Sequence, residues 1–205
     1  MQPEAFYPLL VAFAEQLPNA RFLSLTDLHG QVVTEYLETV RSITAAGAAQ
    51  IVPDGRTVAQ VVGHIAAWER NIIVAVGEIL AGVKWPRLMS RSSYIDSDGR
   101  AHDFPNVAAF NAYYAEQHAS QSWGTIQAEA LHTASTLNQL FRESKMITAE
   151  RLERTWSYQH YSLPIGVTLT IPYGWFLWMI TIEHEAVEHA ADLALGRRSH
   201  AIVKQ

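Results

Sequence analysis

Four long stretches of this chain place apolar residues three and four positions apart, a spacing that commits them to helices packed on one another. One runs from about Ser24 to Ala49 and carries Leu25, Leu28, Val32, Val33, Tyr36, Leu37 and Val40 on one side. The next opens at Thr57, where Thr57 and Gln60 have the spacing of a capping box, and continues through Val61, Ile65, Trp68 and Ile72 to a stop at Gly82. A third occupies Asn106 to Ser144, as one helix or as two with a break near Gly124. The last spans Trp175 to Leu195, with Gly196 placed to end it. An additional amphipathic segment, Pro3 to Gln16, precedes them and is closed by Pro18.

The pattern predicts an all-α protein: a four-helix bundle with an extra N-terminal helix. The 205 residues suit a single domain, with residues 1–20 as an N-terminal extension and 24–196 as the bundle core. The irregular stretch from Val83 to Pro105 is long enough to serve as a crossover connection between parallel helices. Val167 to Ile171 alternates like a strand, but one short strand makes no sheet. Thr148-Ala-Glu-Arg reads as a short capped turn.

Composition removes several classes of function. Apolar residues make up 49% and charged residues 17%, enough for a full core and too apolar for a disordered chain. The net charge of −5 argues against a basic nucleic-acid-binding surface. The absence of cysteine excludes disulfides, thiolate metal sites and a cysteine nucleophile. The longest apolar run, Trp175 to Ile182, stops at Glu183, short of the roughly 18 residues that span a bilayer. The N-terminus lacks a basic region ahead of its apolar stretch, so a cytoplasmic location is expected.

Chemistry concentrates in the last helix, Glu183-His184-Glu185-Ala186-Val187-Glu188-His189-Ala190-Ala191-Asp192. Glu185 and His189 are four apart and share a face, as half of a divalent metal site would require. His184 and Glu188 form a rival pair at the same spacing. His184 and His189 are five apart, which on an α-helix sets them about 140° from each other, too far round for one ion. His64, mid-helix in Val61-Val-Gly-His64-Ile-Ala-Ala-Trp68, fits either a core histidine or a ligand.

Taken together, Thr57-Val-Ala-Gln-Val-Val-Gly-His64-Ile-Ala-Ala-Trp68-Glu69 and the later Glu185-x-x-x-His189-x-x-Asp192-Leu193 resemble the DinB/YfiT-like superfamily of metal-dependent four-helix bundles. Its members carry a metal on one histidine of the second bundle helix and an H-x-x-x-H pair of the last. Here Glu185 stands where the first histidine of that pair is usual. The variant is similar to the metal-binding domain of mycothiol-dependent maleylpyruvate isomerases, and it implies His64, Glu185 and His189 as ligands to zinc, with nickel as the other candidate. The C-terminal domain of that isomerase lies outside the match, so the same reaction is not the expectation here.

The resemblance further implies a homodimer and a thiol-dependent transferase or isomerase, or a hydrolase, in which a low-molecular-weight thiol cosubstrate or a water attacks a small-molecule substrate. Trp68, Trp175 and Trp178 are placed to wall an apolar pocket, with His102 and His160 in loops beside it. The alternatives are a non-catalytic bundle that sequesters a small molecule in stress or toxin resistance, and a self-associating structural protein whose first helix packs on a partner.

Overall fold

The computed structural model describes residues 1–83, 86, 88, 94–95, 101–155 and 158–198. Two helices open it, α1 (Pro3–Ala14) and α2 (Pro18–Ser42), followed by the short α3 (Ala45–Ala48) and the long α4 (Val58–Leu80). Strands β1 (Tyr94–Ile95) and β2 (Ala101–His102) pair antiparallel ahead of α5 (Val107–Ala119) and α6 (Trp123–Asn138). A π turn over Gln139–Glu143 extends α6 and leads to α7 (Ala149–Glu153). A hairpin of β3 (Tyr158–Ser162) and β4 (Thr168–Pro172) then feeds the last helix. That helix is α8 (Tyr173–Glu183), a π turn over His184–Glu188, and α9 (Ala190–Arg198). The bundle consists of α2, α4, α6 and this last composite helix, which pack on one another. Among the described residues no helix is long and apolar enough to cross a membrane.

Local sequence accounts for most boundaries. The Thr57 hydroxyl accepts from the Gln60 N–H while the Gln60 side chain accepts from the Thr57 N–H, so the predicted capping box starts α4. Gly82, at φ 82°, lies just beyond the other end in the left-handed region that only glycine enters freely. Thr148 caps α7 through the Arg151 N–H.

Four boundaries differ from the sequence reading. Pro18 begins α2 rather than only closing α1, because its fixed φ and missing N–H suit the first position of a helix. The break in the third stretch falls at Ser122, which caps α6, and Gly124 lies inside the first turn. Val167 to Ile171 is not a lone strand: Tyr161 pairs with Leu169, and Gly166 at φ 78° turns the chain between the two partners. Gly196 does not end the last helix. It sits within α9 so closely against α3 that a Cβ on Gly47 would overlap its carbonyl oxygen. Most of the expected crossover, Val83 to Pro105, and His200 lie outside the described residues.

The core divides in two. One cluster, with Phe6, Leu10, Leu137, Phe141, Trp175 and Trp178, ties α1 and the β3–β4 hairpin to one half of the bundle. The other gathers Val40, Val61, Ile65, Ala130, Ala134 and Leu193 in the opposite half. Between them every bundle helix contributes a buried polar residue: His29 from α2, Glu69 from α4, Thr133 from α6 and Glu185 from the last helix. On α4, for example, Ile65 and Ala66 belong to one cluster and Ile72 and Ala75 to the other, with Glu69 at the seam.

Candidate metal centre

The site is built by a change of helical pitch. From His184 to Glu188 the backbone adopts π geometry, in which each turn takes up an extra residue. Positions five apart, which diverge on an α-helix, then come onto one side. The rings of His184 and His189 stack with centroids 6.0 Å apart and planes 13° from parallel. His64 of α4 meets both edge-on, at 5.2 Å from His189 and 6.0 Å from His184. One nitrogen from each of the three rings lies within 4.8 Å of the other two, close enough to share one ion. This corrects the expectation that His184 and His189 stand too far round the helix to act together.

Electrostatics prepares these nitrogens for a cation. Burial lowers the pKa of His64 and of His184 to about 4. His189 falls to about 3, through burial first and then the neighbouring His184 and His64. All three are therefore neutral near pH 7 and keep a lone pair. Each ring of the last helix has a carboxylate on one side: His184 Nε2 lies 3.1 Å from Glu188 Oε2, and His189 Nδ1 lies 3.6 Å from Asp192 Oδ2. Their other nitrogens, His184 Nδ1 and His189 Nε2, are buried; the Ile180 backbone lies against the His184 ring, and Glu188 Oε1 is 3.9 Å from His189 Nε2. A metal-ligating histidine donates its other ring N–H to a carboxylate or a backbone carbonyl; Asp192 is so placed for His189, and the Ile180 backbone for His184. The donor set fits a divalent ion of the zinc or nickel kind.

Glu185 stands elsewhere. Its carboxyl lies in the polar seam, 3.5 Å from His29 Nε2 and beside the carboxyl of Glu69. The Trp178 indole donates to His29 Nδ1 at 3.1 Å, so the proton of the neutral imidazole is on Nε2 and faces Glu185. Burial, joined by Arg142, lowers His29 to about 3 and keeps it neutral. Glu69 is raised well above the usual carboxyl range, by burial first and then by Glu185, and its other oxygen accepts from the Thr133 hydroxyl. Burial likewise pushes the Glu185 carboxyl up, to about 8, so the pair holds protons at neutral pH. Of the three residues implied by the resemblance, the structure gathers His64 and His189, and it places His184 where Glu185 was expected. Of the rival pair, His184 joins the cluster and the Glu188 carboxylate faces Nε2 of both His184 and His189, at 3.1 and 3.9 Å.

The sequence signal for His184 is the five-residue gap itself. An H-x-x-x-H pair with one residue inserted reads H-x-x-x-x-H, and a π turn is the local structure that absorbs one extra residue without unwinding the helix.

A cavity of about 340 Å³ opens beside the histidines. His64 and His184 form one end, Glu188 reaches its edge, and Trp68, Phe110, Phe176, Leu177 and Ile180 supply apolar wall. Trp68 stacks on His184 at 6.0 Å, and its indole N–H donates to Asn111 Oδ1 at 3.0 Å. Of the tryptophans expected here, only Trp68 takes part. Trp175 and Trp178 are fully buried and stack on each other in the core. His102 pairs with the Tyr113 hydroxyl in β2, and exposed His160 pairs with Thr170 across the hairpin; neither lines this cavity.

No curated protein and no solved structure matches the chain. A family model described as the DinB superfamily matches residues 29–189, a span that opens at the buried His29 and closes on the last of the three clustered histidines. The bundle, the histidine cluster and this match over most of the sequence agree, and the chain belongs to the DinB superfamily.

Proposed function

We propose that this protein is a divalent-metal-dependent enzyme acting on a small molecule, with His64, His184 and His189 as the protein ligands and the adjoining cavity as the substrate pocket. The observation that carries the reading is the convergence of three neutral imidazoles from two separate helices at the end of an apolar cavity. When bound there, zinc, or nickel as the second candidate, supplies a Lewis acid that lowers the pKa of a thiol or water brought to it. The chain itself has no thiol, so sulfur chemistry requires a low-molecular-weight thiol cosubstrate. Thiol transfer, isomerisation and hydrolysis are the reaction classes that fit.

The residues of the chain divide the remaining work. Asp192 stands at His189 Nδ1 and orients that ring, while the Glu188 carboxylate faces Nε2 of both His184 and His189 at the edge of the site. Trp68 covers His184 and keeps bulk water from that flank. Glu185, clasped by His29 and Glu69, anchors the π turn to the core while its neighbour His184 faces the site.

A second reading is a non-catalytic carrier. It is supported by the wall of the cavity, whose described residues include no serine, threonine or lysine. Ligand binding that survives replacement of both His64 and His189 by alanine favours it.

Metal analysis of protein purified without chelator tests the main reading. About one equivalent of divalent ion, lost in His64→Ala and in His184→Ala, is expected. Metal near zero that does not rise on adding zinc or nickel overturns it.

A further inference from the structure

We infer that the substrate of this site is an apolar molecule of about two rings, or one ring and a short chain, joined to a single metal-donor head, and that bulky hydroxyl-rich thiols are not accepted in the pocket. The inference rests on the metal reading of the three histidines for its head and on the cavity alone for its body. A dry cavity of about 150 Å³ holds one benzene. The 340 Å³ here is roughly twice that, and it is continuous with the histidine cluster.

The walls give the body its chemistry. Trp68 and Phe110 pack at 4.8 Å and make one aromatic side. Phe176, Leu177 and Ile180, from successive turns of α8, make the other. Asn111 has its side-chain oxygen occupied by the Trp68 indole. Glu188, half exposed, has its carboxylate turned to His184 and His189. Among the described lining residues the polar groups besides the histidines and the Trp68 indole are the Tyr173 hydroxyl, the Asn111 amide and the Glu188 carboxylate, so a sugar- or peptide-bearing thiol would lose water from many more hydroxyl and amide groups than these can satisfy. A ring loses nothing of that kind and gains contact on both faces.

The test compares two alkyl thiols with the same head, 2-naphthylmethanethiol and 3-mercaptopropane-1,2-diol, on cobalt-loaded protein. Binding is read from the thiolate-to-cobalt charge-transfer band. The naphthyl compound is expected to bind at least a hundredfold more tightly. In a Phe176→Ser/Leu177→Asn variant, which replaces no metal ligand, the preference should fall below tenfold while cobalt uptake is retained. Equal affinities for the two thiols in the wild-type protein, within threefold, overturn the inference, as does a preference that the variant leaves unchanged.

Calorimetry on metal-free protein separates this from the metal reading. If cobalt is not taken up, the metal reading fails, and binding of the naphthyl compound alone still upholds the pocket; equal or absent heats for both compounds overturn it. A variant that does not fold leaves the wild-type comparison decisive.

Discussion

Whether His184 or Glu185 completes the metal centre is decided by comparing His184→Ala with Glu185→Gln. A ligand present at a hundred times its dissociation constant stabilises the folded state by about 2.7 kcal/mol. In a domain of this size each kcal/mol moves the melting temperature by about 2–4 °C, so zinc at that excess should raise it by about 5–11 °C. Removing His184 leaves two histidines of the cluster, and at the same zinc concentration the rise should shrink below about 2 °C. Glu185→Gln keeps the shape of a side chain whose contacts are His29 and Glu69, and it should preserve the whole rise. Thermal unfolding of each variant with and without zinc supplies the measurement. Because the shift is taken within each variant, any change in the metal-free baseline cancels. A Glu185→Gln protein that no longer responds to zinc, beside a His184→Ala protein that does, would refute the geometric assignment and restore the ligand set suggested by the sequence.

Other outcomes follow from the same packing. In the metal-free protein, His29, His64, His184 and His189 take up protons only in the unfolded chain as the pH falls below about 6.5, since their folded pKa values are about 3 to 4, and this lowers stability; the raised carboxyls of Glu69 and Glu185 hold protons only in the folded state there and offset part of the loss. Each group contributes at most about 1.4 kcal/mol per pH unit, so His29→Gln should make the change from pH 7 to pH 5 less destabilising than in wild type by about 2 kcal/mol in urea titrations with chelator; an unchanged pH dependence would contradict the burial of this ring. Phe141→Ala opens a hole beside the stacked Trp178 and should cost about 3–5 kcal/mol by chemical denaturation. Thr57→Ala removes a reciprocal helix cap and should cost about 1 kcal/mol, with zinc binding intact.

The bundle was legible because its helices are long and amphipathic, and α4 announces its start by two side chains alone, Thr57 and Gln60. His64 and His189 were likewise legible, since both short motifs point to them. His184 was not, because the periodic argument assumes 100° per residue throughout, and five residues of π geometry break that assumption. The apolar run ahead of it, Trp175 to Ile182, already implied a helix surrounded by protein, so that ionisable groups on both of its sides would be buried. Glu185 therefore had a role open to it besides metal binding. The hairpin escaped because β3 is rich in polar residues and its partner strand was read without it.

The polar seam across the bundle also fixes how the helices line up along their length. Sliding one helix by a single turn, about 5.4 Å, would carry Glu69 or Glu185 into hydrocarbon and strand the groups left behind. Hydrocarbon layers alone tolerate such slippage, since one leucine-like contact replaces another. In this protein a misaligned bundle pays a desolvation cost at four places at once, so the three histidines are brought to the same level by groups on the far side of the helices that carry them.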